Sequence, residues 1–148
     1  MPCLVVQPRS GGFLPSGMTK ASTQSITAAQ STSYQQVVGW TADTANYPGS
    51  TTSGDALVAQ SAHPGAKVSA SVRMSSGITS TTTLRLKQNG TIIATGTASA
   101  SSASRVATLD ATGVAVAQGD LITVEAVQSA FTSHTVEVAD TWVRILAP

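Results

Sequence analysis

The sequence predicts an all-β domain of antiparallel strands, a sandwich or a barrel. Three observations carry this. Short runs that alternate apolar and polar residues, or that are rich in β-branched residues, recur from residue 23 onward between Gly, Pro, Asn and Asp turn signals. No stretch has the 3.6-residue period of an amphipathic helix. Residues 107–117 are Ala-rich, but their Thr, Val, Asp and Gly argue against one. Finally, residues 83–95 read as a hairpin. Leu84 and Leu86 alternate with Arg85 and Lys87, Asn89-Gly90 suits a type I′ turn, and Thr91-Ile92-Ile93-Ala94-Thr95 is a β-branched return strand.

Taken in order, the first candidates are residues 25–27 and 35–40. A loop follows through Asp43, Asn46, Tyr47-Pro48-Gly49 and Gly54, then a run at 56–59. His63-Pro64-Gly65 reads as a turn into a long strand at 66–74. There Val68, Ala70, Val72 and Met74 share one face, and Lys67, Ser69, Ser71 and Arg73 the other. After the hairpin, 99–104 is a small-residue loop. Residues 105–110 and 114–116 are short strands, and Gly119-Asp120 turns into 121–127. Runs at 135–138 and 140–146 close the chain. The total is eight to ten short strands, without the period of a propeller or solenoid.

Residues 1–22 differ. Pro2, Pro8 and Pro15, with Gly11, Gly12 and Gly17, disfavour helix and central strand, which predicts an extended arm preceding a domain at 23–148. Leu4, Val5, Val6, Phe13 and Leu14 make that arm apolar. Two readings stand: a docking arm that anchors on a partner, or a disordered terminus.

Composition excludes several function classes. Eight Lys or Arg against seven Asp or Glu give a net charge of +1, so no field points to nucleic acid or anionic lipid. No apolar run approaches the roughly 18 residues of a membrane span. The N-terminus lacks a basic region and a long apolar core, so it does not read as a secretion signal. The single Cys3 excludes an intramolecular disulfide. Ala, Ser and Thr make up 63 of the 148 residues. A surface so poor in charge suits burial in a symmetric assembly, although Ser/Thr-rich strands are also common in all-β domains.

No catalytic constellation is legible. His63 lies in a turn, His134 lies in a loop, and neither is near a G-x-S-x-G elbow. Glu125 and Glu137 could form a carboxylate pair, but each sits on a polar strand face. Two histidines and one cysteine meet no zinc spacing. Asp43, Asp55, Asp110, Asp120 and Asp140 sit at turns, where Asp is favoured for backbone reasons, with a calcium loop as the alternative. Neither a cofactor nor a metal is expected.

The order of features resembles C1q/TNF-like jelly rolls, in particular those of small tail and fibre proteins of bacteriophages. The residues that carry it are Val37-Val38-Gly39-Trp40 and Tyr47-Pro48-Gly49, then Ala56-Leu57-Val58 through Pro64-Gly65 to Val68-Ser69-Ala70-Ser71-Val72. Leu84-Arg85-Leu86 with Asn89-Gly90-Thr91-Ile92-Ile93-Ala94, Gly119-Asp120-Leu121-Ile122-Thr123-Val124 and Thr141-Trp142-Val143-Arg144-Ile145 complete it. The likeness spans about residues 23–147. One departure is Ala66-Lys67, where the family has an aromatic after the glycine.

The resemblance implies a ten-strand jelly roll that assembles as a homotrimer and catalyses nothing. It implies a virion protein, assembled in the host cytoplasm, on the tail or tail tip, whose partners are other virion proteins and possible host-surface glycans. A capsid decoration protein and a lectin- or adhesin-like module are the alternatives. The closing strand suggests the trimer interface. Arg144 would be costly unpaired in a core, so Val143 and Ile145 should face inward, with Trp142, Arg144 and Leu146 outward.

Overall fold

A computed structural model describes residues 12–27, 33–75, 80–99, 105–129 and 133–148. Thirteen strands and no helix are present among them. In chain order they are β1 (Ser16–Lys20), β2 (Gln24–Ile26), β3 (Gln35–Gln36), β4 (Trp40–Ala42), β5 (Thr51–Ser53), β6 (Ala56–Val58), β7 (His63–Arg73), β8 (Thr82–Gln88), β9 (Thr91–Thr95), β10 (Val106–Val116), β11 (Leu121–Gln128), β12 (His134–Val136) and β13 (Trp142–Leu146). One sheet has the order β10-β7-β13-β1-β4. The other has β5-β6-β11-β8-β9, with β3 also on β11, and β12 pairs with β2 alone. All pairings are antiparallel, and apart from the β5–β6 and β8–β9 hairpins the sheet neighbours are distant in sequence. That is a jelly-roll sandwich.

Each sheet turns one face inward. Val68, Ala70, Val72, Val143, Ile145 and Met18 come from the first, and Leu57, Leu84, Leu86, Ile122 and Val124 from the second. All are at most 1% exposed. Trp40 caps this core, and its Nε1 donates to the Val37 carbonyl at 2.6 Å. The expected hairpin forms as β8–β9. Asn89 and Gly90 adopt φ of 49° and 83°, the left-handed pair a type I′ turn needs. Gly90→Val is expected to lower stability by about 1–2 kcal/mol, because the residue would be held in that region without steric conflict elsewhere. Urea unfolding checks this; an unchanged midpoint would contradict it.

The structure departs from the sequence reading in several places; four bear on the sheets. Ser16–Lys20, inside the segment read as an arm, is the fourth of five strands in its sheet. It pairs with β13 from Ser16–Ile145 to Thr19–Trp142 and with β4 from Met18–Ala42 to Lys20–Trp40. Its Gly and Lys give it little strand propensity, and pairing on both sides overrides that. His63-Pro64-Gly65 is not a turn but the start of β7. Pro64 is tolerated there because β13 reaches β7 only at Lys67, which leaves one side of the strand without a ladder. The two runs around Gly113 are one strand, β10, with register shifts after Ala111 and Gly113 at φ 69°. That is the bulge such a glycine permits. Lastly, the loop ending at Gly54 contains β5, which turns into β6 through Gly54 (φ 53°) and Asp55 (φ 61°).

Of the expected docking residues, Leu4, Val5 and Val6 lie outside the described residues. Phe13 is half-buried against the core, with its ring edge-on to His63 at 5.0 Å between centroids. Leu14 is 53% exposed.

Candidate assembly interface

β13 presents two faces. Val143 and Ile145 are fully buried, while Trp142, Arg144 and Leu146 point outward and are half-buried. The orientation follows from strand alternation on an inner strand between β7 and β1. Around them on the same face lie Ser69 and Ser71 of β7 and Gly17 and Thr19 of β1, set by the pairs Arg144–Ser69, Trp142–Ser71, Gly17–Arg144 and Thr19–Trp142.

The Arg144 guanidinium carbon stands 3.9 Å from the centre of the Trp142 ring and 5.9 Å from that of Tyr47. Tyr47 reaches this face because residue 17 is glycine. A Cβ there would lie 2.2 Å from Tyr47 Cδ2, well inside contact distance. Arg144 Nε is buried with no hydrogen-bond partner. The face therefore carries a stacked, partly desolvated cation. Its flanks are ion-paired: Arg73 to Asp140 at 2.6 Å and Lys67 to Asp110 at 2.9 Å. Ser71 Oγ also donates to the Asp140 carbonyl at 2.6 Å. Tyr47 and Gly17 had no sequence signal as interface residues, because their meeting depends on the path of the 43–50 loop.

The second sheet carries the other charged group. Glu125 accepts from Arg85 Nη2 at 2.5 Å and Lys87 Nζ at 2.6 Å, and Tyr34 lies 4.1 Å under the Arg85 guanidinium. Burial alone would push the Glu125 carboxyl up, but the hydrogen bonds from Lys87 and Arg85 outweigh it and hold the carboxyl below the usual range. Glu125 is thus an ion-paired residue.

Most of the other residues weighed for chemistry have structural partners. His63 Nδ1 accepts from the Gly65 amide. His134 is not in a loop, as the sequence suggested, but is buried at the start of β12, where pairing with β2 holds it, with Nε2 unpartnered. The Lys67 and Ser69 side chains hold the Asp110 carboxyl below its usual range, and the Ala117 amide with Asn89 and Gln88 does the same for Asp120. Asp43 binds Asn46, Asp55 accepts from the Gly39 amide, and Asp140 pairs with Arg73. No group of three or more His, Cys, Asp or Glu among the described residues could hold a metal. One residue was not anticipated at all. Lys20 is 2% exposed, and its Nζ donates to the carbonyls of Ser22 and Val38. Burial lowers its pKa, partly opposed by Asp55.

These shifts set an acid limit. A carboxyl whose folded pKa lies below its unfolded value stabilises the fold above the unfolded pKa, and that share is lost as pH falls through the folded one. Stability is therefore expected to drop below about pH 4. Asp110, with a side chain 53% exposed, is screened by solvent, whereas Glu125 is 12% exposed. Glu125 should carry most of the effect. Urea midpoints between pH 7 and pH 3 measure it, and Glu125→Gln should flatten the slope. An equal slope in that variant would assign the effect elsewhere.

No family model matches the chain, and no curated protein does. Among solved structures, the Eiger TNF of S. frugiperda is similar, with a TM-score of 0.57 at 10% sequence identity and 92% of each chain covered. The fold is a TNF-like jelly roll. At that identity the likeness concerns the fold alone. It fits the two-sheet order described above, in which β13 runs through the middle of the sheet bearing Trp142 and Arg144.

Proposed function

We propose that this chain is a non-enzymatic structural protein of a virus particle. It would be a homotrimeric tail or tail-tip protein of a bacteriophage, anchored by its N-terminal segment and contributing to host attachment. The observation that carries the assembly half is the Trp142–Arg144–Tyr47 stack. Aromatic rings and arginine are enriched at the centres of protein interfaces. A buried, unpaired Arg144 Nε–H is costly, and a side-chain shift on docking of a neighbouring copy would bring it an acceptor. The TNF-like fold supports the reading, since the outward face of that sheet packs against no strand of the other sheet. The phage setting is supported by the order of motifs from Val37 to Ile145. The engagement of the acidic side chains described above supports a role without catalysis.

Light scattering of the purified chain at micromolar concentration tests the trimer, and a monomer would refute it. Antibody labelling of purified particles in the electron microscope tests the location. Label on the tail supports it, and label on the capsid shell or none on particles overturns it.

A further inference from the structure

We propose that the outward face of the second sheet holds a saccharide-binding groove. A groove of about 370 Å³ runs between two tight turns there, lined by Gln36, Ser53, Ala56, Lys87, Thr123 and Glu125 among others. That volume lies at the lower end of the roughly 300–1,000 Å³ of small-molecule sites. Its walls are the Gly54-Asp55 turn of β5–β6 and the Asn89-Gly90 turn of β8–β9, both fixed by left-handed residues. Its floor is low because Ala56, 2% exposed, carries only a methyl group.

The lining chemistry selects hydroxyls over ions. The Gln36, Ser53 and Thr123 side chains are not engaged by other described residues, and each can both donate and accept. Lys87 and Glu125 form a pair at 2.6 Å and are the charged side chains lining the groove, while Arg85, outside the lining, holds the other carboxylate oxygen. Lys87 retains donors, and Glu125 retains acceptor capacity. An adjacent donor and acceptor complement a vicinal diol, whose hydroxyls also do both. An anion would meet Glu125, and a cation would meet Lys87. Leu121, 37% exposed at the groove edge, offers apolar contact to the C–H face of a sugar ring. No aromatic ring among the described residues lines the groove, so a single site should be weak, with a dissociation constant of about 1–10 mM.

The groove is on the opposite sheet from Trp142 and Arg144, so it stays open in the proposed trimer. Three copies would then bind a multivalent surface far more tightly than one. This deepens the proposed attachment role, but the site is readable in the single chain, whatever its assembly.

The test is an NMR titration of the full chain with glucose, galactose, mannose and N-acetylglucosamine, with sulfate as an anionic control. At least one sugar should shift the amides of Ser53, Gly54, Thr123 and Glu125, saturating in the millimolar range. Ala56→Gln, which fills the floor, should abolish this. Thr123→Val, which keeps the shape and removes a hydroxyl, should weaken it about five- to tenfold. No shift with any of the four sugars at about 50 mM would overturn the proposal. So would unchanged binding in Thr123→Val, or sulfate competing for the same amides.

Discussion

Trp142→Ala is expected to convert the proposed trimer to a monomer at micromolar concentration while leaving the fold intact. The ring contacts Arg144 on the outward face, and its core-facing neighbours Val143 and Ile145 are untouched by its removal. A central aromatic anchor costs about 2 kcal/mol or more when truncated. A trimer repeats that loss at three equivalent contacts, about 6 kcal/mol together, or roughly a 10⁴-fold weaker assembly. Arg144→Lys separates charge from stacking. It keeps the cation but loses the planar group that lies 3.9 Å over Trp142, so it should also dissociate the trimer, more mildly. Ile92→Ser, an exposed position on the other sheet, should not. Light scattering and thermal unfolding read both consequences. A Trp142→Ala protein that stays trimeric would move the interface elsewhere.

Removing residues 1–20 is expected to abolish folding, whereas removing residues 1–11 is expected to leave a folded chain. The longer deletion takes away β1, the strand that joins β13 to β4. Met18, 1% exposed, leaves the core with it. A buried Met reduced to Ala already costs about 2–5 kcal/mol. Here the ladders on both sides are lost as well, and backbone groups of β13 remain buried and unpaired. Together these losses are comparable with the roughly 5–15 kcal/mol that holds a domain of this kind together. The shorter deletion removes no contact among the described residues but takes Leu4, Val5 and Val6. Circular dichroism and a cooperative melt distinguish the two. Incorporation of the shorter protein into particles would show that Leu4, Val5 and Val6 are not the anchor.

That pair of deletions locates the division between sequence and tertiary structure. What could be read locally was read. The Leu84-to-Thr95 hairpin is written in its alternation and its Asn-Gly turn. The buried face of β7 is written in Val68, Ala70 and Val72. The inward Val143 and Ile145 and outward Trp142 and Arg144 follow from a period of two and the cost of burying a lone guanidinium. These features depend on residues a few positions apart, so the pattern alone determines them. The rest depends on residues far apart in the chain. Ser16–Lys20 becomes a strand only because β13, more than a hundred residues later, offers it a ladder. Pro64 continues a strand only because β13 stops short of it. Glu125 is an ion-paired residue because β8 sets Arg85 and Lys87 beside it. Gly17 matters because a loop lays Tyr47 on it, and Lys20 can be buried because two carbonyls meet its ammonium group. In a jelly roll most partners are non-local. Local sequence therefore determines which way a strand faces, and only the folded sheets decide what it meets.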